Sequence, residues 1–305
     1  MTYLAQGATL SAMFSPAFSK AIFGSIVGLL AICPAAFPQT QEIPITPQQV
    51  SVAKDAPLNP ALPTVFIVGD STARNQADLG WGDHLAPFFD TSRINVANRA
   101  KAGRSSRSYF NEGLWDKVLS EMKAGDYVLI QMGHNDGGGD PQKDPKSRGS
   151  LKGIGDNTME LPVKKPFTEG PLAGKAMETV HSYGWYLRKY IADARARGAH
   201  PILLTVTVRN IWKDGPDGKP HIERDMGYRD YEYEIAAAEH VPVVDMATVE
   251  ADRLEALGPD KTAALFPVDH THTSAEGAER NAESVVIALR KAGSPLVAYL
   301  KPTAP

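Results

Sequence analysis

Five short apolar runs, each closed by glycine or a polar residue, decide what this chain can fold into. Residues 64–71 read TVFIVGDS and residues 126–136 read DYVLIQMGHND. Residues 201–209 (PILLTVTVR) and 241–246 (VPVVDM) repeat the pattern, and residues 93–100 (RINVANRA) carry a weaker version. A short run of this kind, rich in β-branched residues, is a buried strand. The apolar residues are continuous rather than alternating, so both faces of the sheet need cover, as in a parallel sheet flanked by helices.

Helices are predicted between these strands. Met177, Val180, Gly184, Leu187, Ile191 and Ala194 recur at spacings of three and four and predict one helix closed at Gly198. A second runs from about Met226 to Glu239. A third opens on Thr273-Ser274-Ala275-Glu276, read as a capping box, continues through Val285 to Leu289 and stops before Gly293. Strand and helix in alternation give an α/β fold of three layers, α/β/α, with a central parallel sheet. Ligands of such folds sit beyond the carboxyl ends of the strands. Residues 137–174, rich in Gly, Pro, Lys and Asp, follow a strand end and read as a long loop or insertion on that edge.

The first 62 residues read differently. Lys20 precedes an apolar run, AIFGSIVGLLAI (residues 21–32), followed by Cys33-Pro34-Ala35-Ala36. A positive flank, a short apolar core and small residues make a secretory signal. Residues 1–36 are therefore assigned to a signal peptide, cut near Ala35 or Ala36. The run is shorter than the ~20 residues of a comfortable membrane span; an uncleaved anchor is the alternative. Residues 37–62 form a proline-rich lead-in, and residues 63–300 the folded domain. Cys33 is the single cysteine, so neither a disulfide framework nor a multi-cysteine zinc site exists within the chain. A net charge of −3 gives no basic field for nucleic acid.

Chemistry gathers at the predicted strand ends. Ser71 follows the first strand, where a hydroxyl needs a neighbouring base to become a nucleophile; helix capping is the competing use of such a serine. Gly103 lies in Lys101-Ala102-Gly103-Arg104, where its N–H can serve an oxyanion or simply make a turn. Asn135, in Gly133-His134-Asn135-Asp136, offers a side-chain donor or a turn residue. Asp269 and His272 stand three apart just before the last helix. At that spacing a carboxylate can fold back onto one imidazole nitrogen and leave the other free to face a serine. His270 has no carboxylate at the same spacing.

In order along the chain, GDSTA, AGRSS, GHND and DHTH resemble the four blocks of the SGNH (GDSL-type) hydrolases, over residues 64–292. GDST, with SYGWYLRKYI and DHTHTSAEGA, is similar to their rhamnogalacturonan acetylesterase branch. The resemblance implies a flavodoxin-like hydrolase fold and a cofactor-free carboxylic-ester hydrolase. It implies Ser71 as nucleophile, His272 as base and Asp269 as its orienting partner. The N–H of Ser71, the N–H of Gly103 and the Asn135 amide are implied as oxyanion donors.

The substrate expected is an acetylated plant cell-wall polysaccharide, met outside the cell or in the periplasm by a monomer with no stable membrane association. Arg209 is a candidate for pairing with a uronate and Trp212 for stacking on a sugar; a surface arginine and a packed tryptophan are the plainer alternatives. Three rival functions remain. One is an esterase or lipase acting on other acyl esters, and another a secreted carbohydrate-binding protein without catalysis. The third is a metal enzyme using Asp269, His270 and His272 with His134 or His84, although no third-ligand spacing supports it.

Overall fold

In chain order the elements are β1 (Thr64–Val68), β2 (Asn95–Asn98), α1 (Ser106–Asn111), α2 (Leu114–Glu121), β3 (Tyr127–Ile130), β4 (Thr158–Pro162), β5 (Met177–His181), α3 (Tyr183–Ala196) and β6 (His200–Leu204). There follow β7 (Trp212–Asp214), β8 (Pro220–Ile222), α4 (Arg229–Glu239), β9 (Val243–Val244), α5 (Met246–Leu257), α6 (Pro259–Leu265) and α7 (Ala275–Lys291). This computed structural model describes residues 56–302 apart from 77, 145, 146 and 164. The signal peptide and most of the proline-rich lead-in expected from the sequence lie outside the described residues. Among those described, no helix is long and apolar enough to cross a membrane.

Five strands form one sheet in the order β2-β1-β3-β6-β9, every neighbouring pair parallel. The chain steps outward from β1 to β2, then returns to β3 on the other side of β1. The carboxyl ends of β1 and β3 therefore flank the point where strand order reverses, the usual ligand crevice of an open α/β sheet.

Alternate residues of β1 show why both faces are closed. Val65 and Ile67 pack with Met246 and Val249 of α5 and with Ala282, Val285 and Leu289 of α7. Phe66 and Val68 pack on the opposite side with Trp115 and Val118 of α2, Leu187, Tyr190 and Ile191 of α3, and Ile235 of α4. All five residues of β1 are buried, so the apolar run serves two cores at once. The fold is a three-layer α/β/α sandwich.

Three sequence expectations are corrected. Met177 and Val180 do not begin a helix: they belong to β5, antiparallel to β4. Burial there alternates, with Glu178 and Val180 inward, and the helix starts only after Ser182, whose side chain accepts from the Trp185 N–H at 3.1 Å. The helix expected from Met226 begins at Arg229, because Met226 and Gly227 both have positive φ. The last helix is capped by Ser274, which accepts from the Gly277 N–H at 3.2 Å. Thr273 instead donates to the Leu79 carbonyl, and Glu276 pairs with Arg280.

Candidate active site

The turn after β1 is built by Asp70. Its buried carboxylate accepts from the N–H of Thr72 at 2.8 Å and from the Thr72 hydroxyl at 2.9 Å, while its carbonyl takes the N–H of Ala73 and Arg74. With the main chain folded back in this way, Ser71 is left half-buried at the strand end. The hydroxyl of Thr72 and the indole N–H of Trp81 both reach Gln131 Oε1 at the end of β3, at 3.2 and 3.0 Å. The ends of β1 and β3 are thereby tied together.

The loop before α7 arrives from the far end of the sequence. Asp269 Oδ1 accepts from the N–H of Thr271 at 2.7 Å and of His272 at 2.8 Å, a local turn. Its other oxygen, Oδ2, lies 2.7 Å from His272 Nδ1, and His272 Nε2 lies 2.9 Å from Ser71 Oγ. Burial works against the Asp269 carboxylate, but the donations from the His272 ring, the His272 N–H and the Thr271 N–H outweigh it and hold its pKa at about 2. An ionised carboxylate only accepts, so Nδ1 carries the proton and Nε2 is the acceptor for the serine hydroxyl. A hydroxyl, an imidazole and an orienting carboxylate in this order can activate a nucleophile. The loop is anchored by the Asn210 N–H to the His270 carbonyl at 2.8 Å and by the Ser274 N–H to the Leu265 carbonyl at 2.8 Å. His270 itself points into solvent.

The two other blocks follow β2 and β3, the strands on either side of β1. Gly103 sits at φ +77, a conformation that disfavours a side chain. The Asn135 amide donates one hydrogen to the Arg104 carbonyl at 3.1 Å and keeps its second for another acceptor. Asp136, next to it, is buried and accepts from the N–H and hydroxyl of Ser106 and from the hydroxyl of Ser150. Burial pushes the Asp136 carboxyl up to about 6 in spite of those bonds. Residues 137–174 supply a further support that the sequence did not announce: Ser105 donates to the Arg148 carbonyl at 2.6 Å, and Arg148 Nη1 donates to the Gly103 carbonyl at 3.0 Å. Arg148 carried no signal of its own in the chain. Ser105 and Ser108 form a capping box at the start of α1.

His134 is a hydrogen-bonding residue rather than a base. Its Nε2 lies 2.8 Å from the Thr207 hydroxyl, and burial first, then the charge of Arg209, lowers its pKa to about 4. Arg209 is half-buried beside it, and among the described residues its buried Nε has no hydrogen-bond partner. Trp212 packs against the cluster of Val208, Ile222 and Leu254 and gives its indole N–H to Asn210 Oδ1 at 2.8 Å. Its plainer reading, a packed tryptophan, describes most of its surface. Of the residues weighed as metal ligands, Asp269, His272 and His134 are engaged as described, and His84 Nε2 lies 2.6 Å from the Asp78 carbonyl. No group of three or more His, Cys, Asp or Glu among the described residues is arranged to hold a metal ion.

A sheet of this topology with a hydroxyl, an imidazole and a carboxylate at its switch point defines a class, and the chain belongs to the GDSL-like lipase/acylhydrolase family, whose profile matches residues 67–280. It is a carboxylic-ester hydrolase. Within that class its relatives point to one branch. A rhamnogalacturonan acetylesterase of Emericella nidulans is 32% identical over 226 residues, 74% of this chain and 84% of that one. The rhamnogalacturonan acetylesterase RhgT of Bacillus subtilis is 29% identical over 256 residues, 77% of this chain and 93% of that one. The crystal structure of the YxiM protein of Bacillus subtilis shares the fold, with a TM-score of 0.58 at 22% identity; the match covers 76% of this chain and 57% of that one.

Proposed function

We propose that this protein removes O-acetyl groups from a pectic polysaccharide of the rhamnogalacturonan type through an acyl-enzyme on Ser71. The observation that carries the reading is the contact series from Ser71 Oγ to His272 Nε2 at 2.9 Å and from His272 Nδ1 to Asp269 Oδ2 at 2.7 Å. Ser71 Oγ attacks the acetyl carbonyl carbon as its proton passes to Nε2. The N–H groups of Ser71 and Gly103 and the Asn135 amide receive the negative oxygen. Such a donor is worth ~10²–10³ in rate where it has been removed elsewhere. Collapse breaks the bond to the sugar oxygen, which takes the proton from Nε2. A water molecule then attacks the acetyl-serine, gives a proton to Nε2 and leaves acetate and the free hydroxyl of Ser71.

The acetyl group and the pectic chain are supported by the two relatives whose names carry that activity. Arg209 adds chemistry of its own: a half-buried cation, close enough to His134 to depress its pKa, with Nε unsatisfied, suits a uronate carboxylate. The signal-like residues 1–36 fit a polymer met outside the cytoplasm. The deciding experiment measures acetate released from acetylated rhamnogalacturonan, acetylated xylan and p-nitrophenyl esters of rising chain length. Turnover is expected on the first and on short esters. Faster release from xylan, or a preference for long acyl chains, rules the pectic acetylesterase out.

A further inference from the structure

A cavity of about 330 Å³ is lined by α1 and by residues between 147 and 178, among them Arg148, which reaches the Gly103 loop. That size is at the small end for ligand pockets, enough for a sugar unit. We infer that it is an accessory subsite for an acidic sugar residue of the substrate chain, an inference that rests on the polysaccharide esterase reading above.

The floor is fixed and electrically closed. Arg107 makes a two-point pair with Glu178, Nε to Oε1 at 2.6 Å and Nη2 to Oε2 at 2.8 Å, with both side chains buried. Arg107 Nη1 also donates to the Gly149 carbonyl at 2.9 Å, and the Asn111 amide to Glu178 Oε1 at 2.5 Å. Every strong donor of the floor is thus already paired, so the ligand charge has to be read at the rim.

The rim carries the two remaining cations. Lys165 and Arg148 are both exposed and line the cavity, and among the described residues neither meets a carboxylate within ion-pairing distance. Glu112, the acidic group nearby, is paired with Arg104 at 2.8 Å. Phe167, half-buried, and Val163 supply an apolar wall. A sugar ring offers one apolar C–H face, a ring of hydroxyls and, when it is a uronate, one carboxylate. An aromatic wall below two unpaired cations matches that distribution better than it matches a neutral sugar or an apolar acyl chain.

Position relates the cavity to the reaction. Arg148 lines it and at the same time donates to the Gly103 carbonyl at 3.0 Å. The cavity wall and the Gly103 loop therefore share one side chain. Residues 137–174, whose role the sequence left open, then have a use: they extend the binding surface of the esterase along its polymer.

The test is calorimetric titration of the full chain with a deacetylated rhamnogalacturonan oligosaccharide and with the same oligosaccharide after reduction of its carboxyls. The acidic form is expected to bind at least tenfold more tightly. Lys165→Glu, on the exposed rim and remote from the core, is expected to weaken the acidic form at least tenfold and to leave the reduced form unchanged. Phe167→Ala is expected to weaken both. Equal binding of the two oligosaccharides, or a Lys165→Glu protein that still prefers the acidic form by the wild-type margin, overturns the inference. Ester hydrolysis by Ser71→Ala, assayed separately, tests the esterase reading alone, so failure of one is not confused with failure of the other.

Discussion

His272 Nε2 lies 2.9 Å from Ser71 Oγ although 201 positions separate the two residues in the chain. The sheet brings them together: Ser71 leaves β1, and the loop that carries His272 feeds α7, whose residues pack on Val65 and Ile67 of the same strand. Groups that act as one unit lose their effect together. Ser71→Ala and His272→Ala are each expected to lower kcat on p-nitrophenyl acetate by about 10³-fold or more, with circular dichroism unchanged. The double variant is expected to be no worse than the weaker single one. Losses that multiply would mean that the two side chains work independently.

In the proposed mechanism Asp269 fixes the ring rather than reacting. Its two oxygens take the imidazole Nδ1–H and two backbone N–H groups. Asp269→Asn presents an amide in place of an acceptor-only group, so the ring can adopt the wrong tautomer; a loss of about 10²–10⁴ in kcat is expected. The folded pKa of about 2 lies below the ordinary carboxylate value. A lowered carboxyl stabilises above its unfolded pKa and loses that contribution as pH falls through the folded one. Asp269 is therefore expected to stay ionised down to about pH 3, and the acid limb of a rate profile should persist with similar shape in Asp269→Asn at its reduced level. An acid limb that vanishes in this variant would assign the titration to Asp269 and contradict its role as an orienting group.

Gly103 and Asn135 make a sharper pair of variants, because they fail in different ways. A Cβ on Gly103 at φ +77 is strained and would lie 3.3 Å from Arg148 Nη1, so Gly103→Ala should displace the loop as well as its N–H. Asn135→Ala removes an amide and also leaves the Arg104 carbonyl without its donor. Asn135→Ala is expected to lower kcat by ~10²–10³ with little change in KM, the signature of an interaction made in the transition state. Gly103→Ala is expected to lower kcat and to reduce the melting temperature. A rise in KM alone for Asn135→Ala would place the amide in ground-state binding and remove it from the oxyanion site.

The parts of this molecule that could be read from sequence are those where one local rule decides. The strand of residues 64–68 is buried on both faces, so its composition alone gives it away. Ser71, Gly103 and Asn135 each follow a strand, and Asp269 and His272 precede a helix, but capping or a turn competes for the first three, and only the four blocks taken in order single them out. Met177 and Val180 misled because a spacing of three is compatible with a helix, while the antiparallel partner that makes them a strand lies at residues 158–162. Likewise nothing near Arg148 in the sequence shows that it reaches back 45 positions to the Gly103 carbonyl. The Arg107–Glu178 pair spans 71 positions and looks, in the chain, like two ordinary surface charges.

A last prediction concerns the segment that leads from β6 to Arg209. Glu250, buried in α5, accepts from the Val208 N–H at 3.0 Å. Burial raises its carboxyl to about 8, with the Val208 N–H pulling the other way. A carboxyl raised in the folded state is protonated there and ionised in the unfolded chain between the two pKa values, so the folded state holds the extra proton. Stability from this group is then full below the unfolded pKa of about 4.5 and is lost as pH rises toward 8. Each pH unit in that window costs up to ~1.4 kcal/mol. Glu250→Gln keeps an oxygen for Val208 and has no proton to lose. Its stability relative to wild type, from urea denaturation at pH 5, 6, 7 and 8, is expected to improve steadily with pH. Parallel curves for the two proteins would mean that Glu250 does not titrate in this window.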